Sequence, residues 1–228
     1  YTVTPSSSLS SNTTYKVKVT TDAKDSAGNA LASAYTHSTG FTTVTVSFFV
    51  AVGDGGTILA SSDGISWNSR TSGTSDNLQG VNYVNSTFMA LSQDGEILTS
   101  SDGTTWTSST IYNTTRDLRK VNYGNFTFVI VGQDGVMLSS SDGTSWNNRN
   151  TSFNNSGEPP TFSVERMGLT FANNIFVTVG GNGTTASILT SSDGISWDNR
   201  TSGVGGYLYE VTYGNSIFVT VGSGNPAT

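Results

Sequence analysis

The chain has 228 residues, of which 34% are hydrophobic and only 11% charged, and it carries a formal net charge of −6 with 10 Lys plus Arg. That length can bury a core as one large β domain or two small ones, no apolar run approaches the ~20 residues of a membrane helix, and an acidic balance argues against nucleic acid or an anionic membrane surface as partner. The absence of Cys and a single His, His37, remove disulfides, thiolate nucleophiles, Cys-ligated zinc and a His general base, so neither a metal nor a cofactor is expected.

Residues 1–43 read as short strands between turns. Tyr1, Val3, Pro5 and Leu9 form a first run, and Tyr15, Val17 and Val19 alternate in a second. Asp25-Ser26-Ala27-Gly28-Asn29 is a turn, and Phe41-Thr42-Thr43 closes the segment. So few strands are too little for a free-standing sandwich, so Tyr15, Val17 and Val19 are expected to pair with strands from outside this segment.

From residue 44 the chain repeats. Ser-Ser-Asp-Gly-x-Ser/Thr-Trp occurs four times, with its aspartates at Asp63, Asp102, Asp142 and Asp193 and its tryptophans at Trp67, Trp106, Trp146 and Trp197; the aspartates lie 39, 40 and 51 residues apart. Upstream of each full copy stand a V-x-Y or L-x-F run, an apolar run ending at a Gly- or Asp-rich turn, and an I-L-T-S-like run. A shortened copy precedes Asp63, and a last copy begins at Val211 and stops before its motif. Four short strands in about 40 residues is the period of a propeller blade. A β-solenoid of that period would not need three tight turns per coil. The expected fold is all-β: a β-propeller over 44–228 of four-stranded antiparallel blades, four complete (44–72, 79–110, 119–151 and 165–202) and one partial (208–222).

The motif has a structural explanation. An Asp before Gly at a hairpin corner accepts backbone N–H bonds, Gly takes a positive φ, the preceding Ser caps the turn, and Trp buries its ring between neighbouring blades. One carboxylate per turn supplies too few oxygens for calcium.

SSDGISW, SSDGTTW and SSDGTSW resemble the Asp-box of BNR-type propellers, the repeat family that includes sialidases and photosystem assembly factors; the family's Ser-x-Asp-x-Gly-x-Thr-Trp is one residue longer between Asp and Trp. Residues 1–43 resemble the C-terminal half of a bacterial Ig-like domain of the SbsA type, found in surface-layer and adhesin-like proteins. Together these resemblances imply an extracellular or cell-surface protein of a bacterium or archaeon. The sialidase connection invites a search for an arginine triad and a Tyr–Glu pair. Arg70, Arg149 and Arg200 each follow a motif Trp by three residues, so they occupy equivalent outer-strand positions in different blades and cannot converge on one carboxylate. Glu210 and Tyr213 lack the second acidic group that a glycosidase holds about 5–10 Å away. The expectation is therefore no enzyme.

Two further features stand out. The 51-residue spacing locates insertions in the loop 150–165 and in the turn 180–187, which should open on one rim. Phe153, Glu158, Pro159, Pro160, Phe162 and Arg166 form a candidate partner-binding patch there. Asn-x-Ser/Thr occurs at Asn12, Asn85, Asn113, Asn125, Asn150, Asn154, Asn182 and Asn199, close to chance in a chain this rich in Asn, Ser and Thr, and it permits glycosylation in a secreted setting. Both ends look cut. The expectation is a piece of a longer polypeptide, with a five-bladed ring closed by a thin blade, or strands donated by another copy, as the other two readings. The functional expectation is a non-catalytic structural or assembly component of a cell surface or filament. Its partners would be other copies of itself or surface proteins, reached by strand addition. A glycan- or protein-binding adhesin module is the alternative, and a sialidase-like hydrolase ranks last.

Overall fold

The computed structural model describes residues 14–42, 49–110, 116–149 and 164–223. The chain divides into two compact units, 1–47 and 48–228.

In the first unit, β1 (Thr14–Tyr15) pairs with β4 (Phe41–Thr42), and β2 (Lys18–Val19) with β3 (Tyr35–Thr36), both antiparallel. The strands expected to pair outside the segment thus find partners within it, because the chain doubles back through the turn at Asp25. There Oδ1 of Asp25 accepts the backbone N–H groups of Ala27 and Asn29, each at 2.9 Å, and Asn29 Nδ2 donates to Oδ2 at 3.0 Å. These bonds hold the Asp25 carboxyl below its ordinary range, the Asn29 side chain contributing most. Val17, Val19 and Tyr35 remain exposed.

The second unit is a β-propeller array. Blade 1 is β5 (Phe49–Gly53), β6 (Thr57–Ser61) and β7 (Asn68–Arg70). Blade 2 is β8 (Leu78–Val84), β9 (Thr87–Ser92), β10 (Glu96–Ser100) and β11 (Thr107–Thr110). Blade 3 is β12 (Leu118–Gly124), β13 (Thr127–Gly132), β14 (Met137–Ser140) and β15 (Asn147–Asn148). Blade 4 is β16 (Glu165–Ala172), β17 (Ile175–Gly181), β18 (Ala186–Ser191) and β19 (Asp198–Arg200). Blade 5 is β20 (Leu208–Gly214) and β21 (Ile217–Gly222). The start of blade 1 expected at 44–48 lies outside the described residues.

Each blade is an antiparallel meander, and its turn chemistry explains why. The first hairpin closes on two residues with positive φ, at Asn85-Ser86, Asn125-Phe126, Asn173-Asn174 and Asn215-Ser216. That is the type I′ geometry whose twist matches paired strands, and Asn is among the few side chains that tolerate it. In blades 2 to 5 the first strand carries a register shift at one place, between 78 and 80, 118 and 120, 166 and 168, and 208 and 210.

The core lies between blades rather than within one. In β13, Phe128 and Ile130 join Leu138 and pack against Met89, Leu91 and Ile97 of blade 2. The alternate residues Val129 and Val131 join Met137 and pack against Leu169, Phe176 and Leu189 of blade 4. Successive side chains of a strand point to opposite faces, and both faces are buried, which is why FVIV reads as a continuous apolar run. Fully burying one such side chain stabilises the array by about 1.5–3 kcal/mol.

The motif tryptophans do not share one environment. Trp106, Trp146 and Trp197 pack in the interfaces between blades 1 and 2, 2 and 3, and 3 and 4 respectively. Each also lies against a phenylalanine of its own blade, Phe88, Phe128 or Phe176, with ring centroids 6.3 Å apart. Trp67, expected to be buried like the others, is 41% exposed. The reason is positional: each Trp faces the preceding blade, and no blade precedes blade 1 among the described residues.

Candidate functional site

The four Asp-Gly turns join the third and fourth strands of four different blades, so Asp63, Asp102, Asp142 and Asp193 are distributed around the array rather than gathered. Asp63 Oδ1 accepts the backbone N–H groups of Ile65 and Ser66 at 2.8 Å, and Ser61 Oγ donates to it at 2.9 Å. The same Oγ accepts from Gly64 N at 2.8 Å. The pattern recurs at Ser100–Asp102, Ser140–Asp142 and Ser191–Asp193. The capping serine is the first of the pair and is buried, whereas its neighbours Ser62, Ser101, Ser141 and Ser192 are exposed. The glycines take φ of 71–75°. Backbone N–H groups, of Ser66, Thr105 and Ser145 foremost, hold Asp63, Asp102 and Asp142 below their ordinary value. At Asp193 partial burial pushes the carboxyl up, and the N–H groups of Ser196 and Ile195 outweigh it. The carboxylate of each turn is thus spent on its own backbone. Among the described residues no group of three or more His, Cys, Asp or Glu side chains is placed to hold a metal ion.

Of the loop proposed from the spacing, Phe153, Glu158, Pro159, Pro160 and Phe162 lie outside the described residues. Arg166 is described and is not a surface residue. It is 6% exposed, its Nη1 donates to Ser187 Oγ at 2.7 Å, and burial pulls its guanidinium down to about 10. The shorter insertion is a turn in which Asn182 Oδ1 accepts from Thr184 N, Thr184 Oγ1 and Thr185 N. Arg70, Arg149 and Arg200 belong to different blades: Arg149 Nε donates to Ser139 Oγ and Arg200 Nε to Thr190 Oγ1.

Among the glycosylation motifs, Asn85 and Asn199 are exposed, and Asn12, Asn113, Asn150 and Asn154 lie outside the described residues. Asn125 is already in use. Its Nδ2 donates to the carbonyls of Asn174 at 3.4 Å and Ser192 at 2.7 Å, tying blade 3 to blade 4.

The structure brings together one group of which the sequence singled out only Glu210. The shifted first strands of blades 2 to 5 border a cleft of about 340 Å³ lined by Gly80, Val81, Asn82, Lys120, Leu169 and Glu210, together with Arg119 and Val121. Arg119 pairs with Glu165, and Lys120 with Glu210. These partners come from neighbouring or more distant blades, 46 and 90 residues apart in sequence. The signal in the sequence was the charge that opens the first strands of blades 3 to 5, at Arg119 and Lys120, at Glu165 and Arg166, and at Glu210.

The second group is apolar and lies at the two ends of the array. On blade 1, Phe49 and Trp67 are exposed, and on blade 5, Ile217, Val219 and Val221 are exposed. Phe218 instead packs on blade 4.

The bacterial Ig-like domain family matches residues 1–43. No curated protein matches the sequence. Solved structures match through the propeller. One is "YCF48 bound to D1 peptide", at 15% identity and a TM-score of 0.52, covering 72% of this chain and 53% of that one. Another is the computationally designed protein Ika8, at 15% identity and 0.54, covering 86% and 59%. A third is the β-propeller domain of Cps50 (Swd1) from Myceliophteria thermophila, at 8% identity and 0.54, covering 77% and 59%. At these identities the likeness is one of fold, and the chain spans between 53% and 59% of the length of these structures. No helix among the described residues is long and apolar enough to cross a membrane.

Proposed function

We propose that the chain is a non-catalytic assembly component of a bacterial or archaeal cell surface or filament, built from an Ig-like module and blades of the BNR Asp-box type. The observation that carries this reading is the match of residues 1–43 to a bacterial Ig-like family in a chain that also builds a β-propeller unit. The match to a bacterial Ig-like family supports the location outside the cell. Intact cells treated with a membrane-impermeant amine reagent and then a cross-linker test the proposal. The chain should be labelled before lysis and recovered in cross-linked species of higher mass. Labelling only after lysis would overturn it.

A second reading rests on the inner-strand cleft. Arg119, Lys120 and Glu210 present donors and acceptors around a concave surface of about 340 Å³, which suits a peptide or a glycan. YCF48, a protein of similar fold, is bound to a D1 peptide in its solved structure. On an array of synthetic peptides and glycans, this reading expects a hit that Lys120→Ala or Arg119→Ala abolishes while the melt is retained. Binding indifferent to both substitutions would remove it.

A further inference from the structure

Blade 4 departs from its neighbours at one buried position. The first-strand residue that pairs with the end of the second strand is Leu78 opposite Ser92 in blade 2, Leu118 opposite Gly132 in blade 3 and Leu208 opposite Gly222 in blade 5. In blade 4 it is Arg166 opposite Gly180. The three leucines are 4%, 0% and 5% exposed, and Arg166 is 6% exposed. A guanidinium thus occupies a place where the other blades bury an apolar side chain. Gly180 makes room for it. Residues in register across a sheet share a face, and Gly180 pairs with Ser187 on its other side. With no side chain between them, Arg166 crosses the second strand, and its Nη1 donates to Ser187 Oγ at 2.7 Å.

This charge is not neutralised by the described residues. Glu165, beside it in sequence, pairs with Arg119. Among the described residues no carboxylate lies within ion-pair distance of Arg166, and its buried Nε has no hydrogen-bond partner. A buried cation without a counter-charge is costly, and such perturbed groups concentrate where a ligand completes a site.

Ser187 carries the charge to a surface. It is half-buried and lines a cleft of about 500 Å³ together with Asn182, Thr185, Asn199, Arg200 and Thr201. Because Ser187 Oγ accepts from Arg166, its own hydrogen is left to donate, and no acceptor takes it among the described residues. The lining contains no Asp or Glu, although the chain as a whole carries a net charge of −6. Its walls offer hydroxyls, amides and the guanidinium of Arg200, in a volume that suits a small ligand. The cleft shares no lining residue with the inner-strand cleft.

We infer that this cleft binds a sugar acid, whose carboxylate accepts from Ser187 Oγ above the buried Arg166 and whose hydroxyls meet the Asn and Thr side chains of the walls. The carboxylate supplies the counter-charge that Arg166 lacks, and charge-assisted hydrogen bonds of this kind are the strong ones. The hydroxyl- and amide-rich walls favour a hydroxylated acid over a bare anion. The site stands apart from the assembly reading, and neither depends on the other.

The test titrates the whole 228-residue chain with sodium glucuronate, following the melting temperature and the heat of binding. Glucose, and sodium phosphate at equal ionic strength, serve as comparisons. Glucuronate should give a saturable rise in melting temperature that neither comparison matches. Arg166→Leu and Ser187→Ala should each weaken binding about tenfold or more. Arg166→Leu installs the side chain that three other blades bury at this position, so without ligand it should melt no lower than the wild type. That combination, binding lost while stability is kept, is one that a merely structural arginine would not show. An oligogalacturonide distinguishes the two sources of the ligand: tighter binding than glucuronate assigns a polysaccharide residue, and equal binding a free acid. Equal shifts with glucose or phosphate, binding that survives Arg166→Leu, or no saturable shift at all would overturn the inference. So would an Arg166→Leu chain that melts lower, since a carboxylate of the chain itself would then be neutralising Arg166.

Discussion

Trp67 and Trp146 hold the same place in two copies of one motif, and one is 41% exposed while the other is 8% exposed. Truncation should separate them. Trp146→Ala removes a ring from a sealed interface and should cost about 3–5 kcal/mol, whereas Trp67→Ala should cost less than about 1 kcal/mol; denaturant unfolding of the two variants checks this. The motif carboxylates predict a pH dependence. All four are held below the ordinary value of 3.8 in the folded chain. A depressed folded value means that their contribution is complete above about pH 4 and is lost as pH falls toward the folded values. Asp102→Asn together with Asp142→Asn should therefore lower the melting temperature near neutrality, and the gap to wild type should shrink in acid. A gap that widens in acid would contradict this account. At this scale the sequence was informative where bonds are local. The Asp–Gly turn could be read directly, because donor and acceptor lie within three residues. It did not reveal that the first serine rather than the second is the cap. It also placed Arg166 on the surface, because burial depends on Ser187 and on strands that the motif does not include.

The blade was legible as an element because strand alternation and turn residues are local signals: the Gly- or Asp-rich turn after the second strand and the Asp-Gly turn after the third both announce themselves, whereas the Asn-led first hairpin was not singled out. The register shift in each first strand was not legible, since nothing in V-N-Y or L-T-F differs from a regular strand. The charged cleft was likewise hidden, because its ion pairs join residues whose proximity is fixed only when blades stack. Glycines show how strongly that stacking decides the cost of one methyl group. Gly124 and Gly214 are equivalent, and neither has a positive φ. A Cβ at Gly124 would meet the Phe171 ring at 2.3 Å, whereas one at Gly214 meets nothing. Gly124→Ala should cost about 1–3 kcal/mol through overpacking. Gly214→Ala should be neutral in the single chain, and thermal melts of the two variants give the comparison.

Across the whole molecule, stability should follow the one-dimensional logic of repeats, each blade leaning on its neighbours. Blade 3 is flanked on both faces, and blade 5 on one. Amide exchange should therefore be slowest at 128–131 in β13 and fastest, among the second strands, at 217–222 in β21, with protection falling toward the ends. Uniform protection from blade 1 to blade 5 would contradict the description. The fold class was readable from the repeat. The exposure of Phe49, Val219 and Val221 was not legible, because exposure is a property of the assembled array.

The interface between blades has a consequence for how such chains change over generations. Each blade presents one kind of face forward and the complementary kind backward, so Phe128 with Ile130 and Val129 with Val131 serve two neighbours without reference to blade number. A duplication that copies one whole repeat in frame adds a unit already fitted to both flanks, and a deletion of one leaves flanks that still fit. No compensating substitution in the core is needed for either event. Blade count can therefore drift by recombination between near-identical stretches such as SSDGISW at 61–67 and 191–197. The wider spacing before Asp193 marks where copies have diverged in their loops while keeping the packing side chains.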